Sequence, residues 1–248
     1  MQSLHSIFYK NKSDKIPDFC EHNHTYHKKY EKLFKKFRNL PISIFEMGIG
    51  TIDNNFKSSM YNYNQLYGYE SGSSLKSWAE YFHHPDSVIH GGDIDKSIIH
   101  NNYGDKIFTH YIDQCNEQSL KEAFKNLEFD IIIDDGLHTI EAAQTMLNVA
   151  WNHLKEDGYY IIEDIVADKN TLDSFNFPVK NNKIEIWFDK KSNGLIENNY
   201  LIILHKKTKS GKKFRRMNIK NNKTKKINNN FLSIPKSNAF NVGKSVFK

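Results

Sequence analysis

Apolar residues along this chain fall into two kinds of short run. In the first kind they are β-branched, continuous and not alternating, as in Phe129-Asp130-Ile131-Ile132-Ile133-Asp134. A strand that is apolar on both faces is covered on both faces, which predicts a parallel strand inside an α/β sheet. Runs of this kind predict strands at 42–47, 88–93, 107–112, 129–134 and 159–164. In the second kind the apolar positions recur at helical spacing. Tyr26, Tyr30, Leu33, Phe34 and Phe37 predict an amphipathic helix ended by Pro41. Leu75, Trp78 and Phe82 predict a second. A third is expected at about 117–127, and Ile140, Ala143, Leu147, Ala150 and Leu154 predict a fourth, stopped by Asp157-Gly158.

Residues before this first helix, and residues 52–70, read as loop. Two last strands, at 183–188 and 200–205, are joined by a turn around Ser192-Asn193-Gly194 and close the series as an antiparallel pair. Strands alternating with helices, then such a pair, predict an α/β fold: a Rossmann-like seven-stranded mixed sheet flanked by helices. The expected organisation is a helical segment over the active site at 1–40, a catalytic domain at 41–206 and a basic extension at 207–248.

Polar residues then mark where chemistry would sit. The strand at 129–134 ends in Asp134-Asp135-Gly136-Leu137-His138, and the strand at 159–164 ends in Glu163-Asp164. Ligands of open α/β sheets bind at the carboxyl ends of the strands. Strands joined by one helix are commonly neighbours, so these acidic tips should meet. Carboxylates gathered at one edge suit a hard divalent cation such as Mg²⁺. The alternative use, as caps for helix N-termini, accounts for one acid per tip but poorly for four. Of the first pair, Asp135 is expected to face the ion, because neighbouring side chains diverge. His138 stands three residues on, and imidazole titrates near neutral pH, which suits a general base. A fourth ligand or a structural hydrogen bond are its other readings. His22, His24 and His27 form a second cluster, either a polar turn or the mouth of the substrate site.

Gly48-Ile49-Gly50-Thr51 follows the first strand, where glycines let backbone approach a ligand. Asp53 stands where the third glycine of a dinucleotide fingerprint would fall, which argues against NAD. The second strand ends at Asp93, a position where a carboxylate holds a ribose diol in many nucleoside-binding domains.

Composition changes the picture at one point. The formal charge of the 248 residues is +6, but residues 206–248 hold 14 of the 35 Lys and Arg and none of the 29 Asp and Glu. The body thus carries 21 basic against 29 acidic residues. The tail is read as a solvated or partner-packed extension rather than a nucleic-acid arm, because no aromatic stacking platform accompanies its charge. No apolar stretch is long enough to span a bilayer, and the first residues lack a signal pattern. Two cysteines, Cys20 and Cys115, fit a reducing compartment, so a cytoplasmic protein is expected. The aromatic residues of 56–82 leave room for a homo-oligomer.

Taken in order, Phe45-Glu46-Met47-Gly48-Ile49-Gly50-Thr51, Gly72-Ser73-Ser74-Leu75-Lys76-Ser77-Trp78, Gly92-Asp93-Ile94-Asp95, Asp134-Asp135-Gly136-Leu137-His138 and Glu163-Asp164-Ile165 resemble the class I S-adenosylmethionine-dependent methyltransferases. More narrowly, they resemble the metal-dependent sugar O-methyltransferases of the macrolide-sugar and cephalosporin-hydroxylase-like group. Ser13-Asp14-Lys15 and His24-Thr25-Tyr26, with Tyr30, resemble that group's N-terminal segment, so the likeness covers roughly residues 11–206. It implies a class I architecture, S-adenosylmethionine and Mg²⁺ as cofactors, and a sugar or nucleotide-sugar acceptor. It implies Asp135, Glu163 and Asp164 as metal ligands and His138 as the base. Glu46, Gly48, Gly50, Ser74, Asp93, Asp95, Asp113 and Asp134 would surround the cofactor, and Asp14, Lys15, His24 and Tyr26 the acceptor.

Three departures stand out. Leu137 replaces a frequent Ser, the stretch after Gly50 is long, and the separate N-terminal domain of the macrolide enzymes has no counterpart in this sequence, so a macrolide acceptor is not implied. Competing readings are an RNA methyltransferase using the basic tail, a metal-dependent hydroxylase on the same scaffold, and a binding module that keeps only the fold. Against the hydroxylase stands the lack of a two-histidine, one-carboxylate set.

Overall fold

The structure, a computed structural model, describes residues 2–100, 102–178, 184–188 and 200–207, with the backbone of Lys225 and Lys226. The turn expected at 192–194 and most of the basic extension lie outside these residues. One mixed sheet runs through the molecule. Its strands are β1 (Ser43–Met47), β2 (Val88–Asp93), β3 (Ile107–Tyr111), β4 (Phe129–Asp134), β5 (Leu154–Glu163), β6 (Ile184–Phe188), β7 (Tyr200–His205) and β8 (Lys225–Lys226). They lie in the order β3-β2-β1-β4-β5-β7-β6-β8. β1 to β5 are parallel, and β7 is antiparallel to both β5 and β6. The seven expected strands are present, and β8, a two-residue strand from the basic stretch, adds to β6.

Helices α1 (Leu4–Lys10), α2 (Tyr26–Phe34), α3 (Tyr61–Tyr67), α4 (Ser73–Tyr81), α5 (Glu117–Phe124), α6 (Ile140–His153) and α7 (Lys169–Ser174) complete the described fold. Because successive side chains of a strand point to opposite faces, the apolar runs feed two cores. Ile131, Ile133 and Ile161 pack with Leu4, Phe8, Tyr30, Phe34 and Trp78 of α1, α2 and α4. Ile132, Tyr160 and Ile162 pack with Leu120, Phe124, Met146 and Leu147 of α5 and α6. Among the described residues, no helix is long and apolar enough to cross a membrane.

Three local expectations are corrected. The chain before α2 is not all loop, since Leu4–Lys10 is helical, started by Ser3 Oγ accepting from the Ser6 N–H at 3.1 Å. Its apolar residues are too few to show a period, but Leu4, Ile7 and Phe8 are all buried. Within 52–70, α3 forms with no buried residue and ends at Gly68 in the left-handed conformation. Leu154 does not end α6. It opens β5, pairing with Phe129 before the register shifts at Ile131.

The register aligns the carboxyl ends of three adjacent strands. Met47 lies opposite Asp134, and Asp134 opposite Ile162. Gly48 then turns the chain at φ +90°, and a Cβ there would sit 2.0 Å from the Asp135 carbonyl oxygen. Gly48→Ala is therefore expected to cost about 2 kcal/mol or more in chemical denaturation, from left-handed strain plus displacement of the Asp135 backbone.

On the outer strands, His90 Nδ1 lies 2.9 Å from His110 Nε2. Burial and the neighbouring His110 hold the His90 imidazole down at about 4. The unfolded chain thus takes up a proton at His90 before the folded one does, and stability should be lost as pH falls from about 6.5 to about 4, by up to about 3 kcal/mol. Unfolding free energies measured across that window should slope upward with pH, and His90→Phe should flatten the slope.

Candidate active site

The strand tips enclose a buried ion cluster. Lys15, in the turn after α1, is fully buried. Its Nζ lies 3.1 Å from Glu46 Oε1, 2.7 Å from Asp135 Oδ2 and 2.9 Å from Glu163 Oε2. These acids come from β1, the loop after β4, and the end of β5. Burial pushes the Glu163 carboxyl well up, reinforced by the adjacent Asp135. For Lys15, burial works against the charge, but Asp135, Glu163 and Glu46 together raise its pKa well above the ordinary value. Removing one partner from a buried pair strands the other and costs about 3–5 kcal/mol, so Lys15 is a structural counter-ion for the tips.

Beside this cluster lies a cavity of about 540 Å³ at the carboxyl edge of the sheet. Asp135, His138 and Asp164 reach it, and one ligand-type atom of each lies within 4.8 Å of those of the others. His138 Nε2 is 3.9 Å from Asp135 Oδ1. Burial lifts the Asp135 carboxyl to about 7, against the pull of Lys15. His138 and Asp164 both adopt left-handed backbone, at φ +56° and +57°. Such conformations are uncommon outside glycine and gather at functional sites. Here Asp164 follows directly on β5 and His138 stands four residues past the end of β4, and both line the cavity. The carboxylates of Asp135 and Asp164 offer oxygen ligands that fit a hard divalent ion, with the His138 imidazole beside them.

Glu163 does not join that group. Its carboxylate accepts from Lys15 at 3.0 and 2.9 Å and from the Tyr30 hydroxyl. The converging group shares Asp135 and Asp164 with the expected ligand trio of Asp135, Glu163 and Asp164, and Glu163 stands just behind them on Lys15. Asp134 and Asp135 point apart. Asp134 is buried under the sheet edge, accepting from Gln114 Nε2 at 2.7 Å and from the Tyr160 hydroxyl at 3.4 Å. Burial raises its carboxyl to about 6.

Of the residues expected around a cofactor, Gly48, Gly50, Ser74, Asp93 and Asp113 line the cavity. Asp93 Oδ2 accepts from the Ile49 and Gly50 N–H groups at 2.9 and 3.3 Å, so it also fixes the glycine turn. Glu46, Asp95 and Asp134 do not line the cavity and are tied to neighbouring side chains. Glu46 accepts from Trp78 Nε1 at 2.5 Å, and Asp95 accepts from Thr51 Oγ1 at 2.5 Å. Of the expected acceptor residues, Asp14 and His24 line the cavity. Lys15 is enclosed in the ion cluster, and Tyr26 is buried with its hydroxyl on Asp164 Oδ1. His24 is buried, with Nε2 3.5 Å from Asp164 Oδ1 and its side chain against Cys20. Burial opposes its charge, but Asp164 and Cys20 outweigh that and push it up to about 10.

Several wall residues escaped sequence reasoning. The segment from Phe56 to Met60 and Tyr63 cover one side, with Ser58 Oγ donating to the Gly136 carbonyl at 3.1 Å. Its unusual length was the available signal. Gln114 links two tips, since its Oε1 accepts from the Leu137 N–H at 2.9 Å while its amide reaches Asp134. Its place beside Asp113 at the end of β3 was the clue.

No family model matches the sequence. The chain is 32% identical over 142 residues to demethylmacrocin O-methyltransferase of Streptomyces fradiae, covering 55% of this chain and 30% of that one. It is 30% identical over 142 residues to an 8-demethyl-8-(2-methoxy-alpha-L-rhamnosyl)-tetracenomycin-C 3'-O-methyltransferase of Streptomyces olivaceus, covering 55% and 31%. The chain thus spans only about a third of the length of these curated relatives. Among solved structures, the MycE methyltransferase of the mycinamycin pathway, in complex with Mg and SAH, superposes with a TM-score of 0.60 at 21% identity, over 85% of this chain and 56% of that one. The chain has the class I methyltransferase fold.

Proposed function

We propose that this chain is a Mg²⁺-dependent O-methyltransferase that moves a methyl group from S-adenosylmethionine to a sugar hydroxyl, on a nucleotide-linked sugar or a glycan. The observation that carries the reading is the meeting of Asp135, His138 and Asp164 at one end of a cavity whose wall includes Gly48, Gly50, Asp93 and Asp113. Its support is twofold. The curated relatives are named as O-methyltransferases, one of them of a rhamnosyl-tetracenomycin, and the superposing MycE structure is in complex with Mg and SAH.

Asp135 and Asp164 would hold the ion, with the Glu163 charge just behind them. The glycine turn would receive the cofactor's amino-acid end, Asp93 its ribose and Asp113 its adenine side. When bound, the cofactor supplies an electrophilic methyl group and the ion a positive charge beside the acceptor oxygens. The remaining work belongs to the chain. His138, at the cavity wall, takes the proton of the acceptor hydroxyl. His24 and Asp14 line one corner of the cavity, where they would grip the acceptor. The Phe56–Met60 wall excludes water from the cofactor. Alignment of the two reactants supplies much of the rate. In the same reading residues 1–40 form the cover of the active site, 41–206 the catalytic domain, and 207–248 an appended basic tail.

The test is methyl transfer from labelled S-adenosylmethionine to a panel of nucleotide sugars, with Mg²⁺ and with EDTA. Transfer should need the divalent ion. His138→Ala should lower kcat by about 10²–10⁴-fold while leaving cofactor affinity in place. Transfer to RNA but not to sugars would overturn the acceptor assignment, and near-full activity of His138→Ala would overturn the base.

A further inference from the structure

Of the carboxylates that line the cavity, the two that converge with His138, Asp135 and Asp164, are each held from behind by the N-terminal segment. Lys15 Nζ takes Asp135 by Oδ2 at 2.7 Å. The other oxygen, Oδ1, is the one that faces His138 at 3.9 Å. On the neighbouring tip, the Tyr26 hydroxyl donates to Asp164 Oδ1, which leaves the second oxygen of that carboxylate. Lys15 and Tyr26 are both fully buried and neither lines the cavity. Both therefore act on the acids and not on what the cavity holds. Lys15 is itself fixed from below, by Glu46 at 3.1 Å and by both oxygens of Glu163.

A terminal carboxylate torsion is broad and roughly two-fold, and two facing carboxylates turn away from one another. A partner that takes one oxygen sets the rotation of the group and aims the other. It also cuts the repulsion that an empty site has to bear. Partners of this kind around metal ligands typically contribute 10–100-fold to ion affinity.

We propose that Lys15 and Tyr26 are positioning residues for a divalent-ion site, each fixing one oxygen of Asp135 or Asp164 so that the other is presented to the ion. The N-terminal segment is then half of that site, although it supplies no ligand. This rests on the divalent-ion reading above. It differs from a competitive role, in which the Lys15 ammonium would occupy the position of the ion and its removal would tighten binding.

The experiment measures Mn²⁺ binding to the full chain by electron paramagnetic resonance of the free ion, with no cofactor or acceptor present. Parent, Lys15→Met and Tyr26→Phe are compared, with circular dichroism to confirm folding and S-adenosylmethionine affinity as the control for general damage. Both variants should bind Mn²⁺ about ten- to a hundredfold more weakly, while cofactor affinity stays within a few-fold. Tyr26→Phe removes a single oxygen, so it decides the question if Lys15→Met does not fold. Variants that bind Mn²⁺ as tightly as the parent, or more tightly, overturn the positioning role and leave the function reading standing. A parent that binds no Mn²⁺ removes both.

Discussion

One buried ammonium group holds the structure's working edge together. Lys15 sits among Glu46, Asp135 and Glu163, at the ends of three adjacent strands. A parallel sheet forces these tips side by side: Glu46 lies level with Ile133 and Ile161, and Asp135 and Glu163 stand two residues further along their own strands. Three carboxylates buried that closely repel one another and lose their hydration. The counter-charge has to come from outside the sheet, and it comes from the segment after α1. That requirement explains why the chain before β1 is packed so firmly. Leu4, Ile7 and Phe8 of α1 and Tyr30 and Phe34 of α2 share one core with the sheet and with Trp78 of α4.

Above the ammonium, backbone geometry decides which groups reach the cavity. Gly48 keeps a Cβ away from the Asp135 carbonyl, and two left-handed residues, Asp164 directly after β5 and His138 four residues past β4, line the cavity. Asp134, one residue earlier than Asp135, faces the other way and is tied to Gln114. A one-residue difference thus separates a structural acid from one that can meet a ligand. The same edge carries Asp93, which spends both oxygens on backbone amides of Ile49, Gly50 and Asp95. The cofactor side and the acid side of the cavity are in this way parts of one rigid frame.

Most of the sheet is legible in the sequence because a strand buried on both faces has no polar alternation, and β1, β2 and β4 show this directly. Leu154 was misread because it continues the helical period of α6, while its pairing with Phe129 depends on a neighbour no local pattern shows. α3 was hidden for the opposite reason: none of its residues is buried, so it carries no apolar stripe. At the site, Asp135, His138 and Asp164 could be named from spacing alone, since chain order fixes strand tips. The place of Lys15 could not. The resemblance placed Lys15 beside the acceptor, and only the folded topology brings it to acids 120 and 148 residues away. The same contact draws Glu163 away from the converging set, which spacing could not foresee.

If this edge receives S-adenosylmethionine, the cofactor should bind without an acceptor. Calorimetric titration of S-adenosylmethionine into the full chain, with NAD⁺ as the control ligand, measures this. Saturable binding of S-adenosylmethionine is expected, with affinity in the micromolar range typical of enzyme substrates, and no heat from NAD⁺. Absence of S-adenosylmethionine binding, or equal binding of NAD⁺, would rule the methyltransferase reading out.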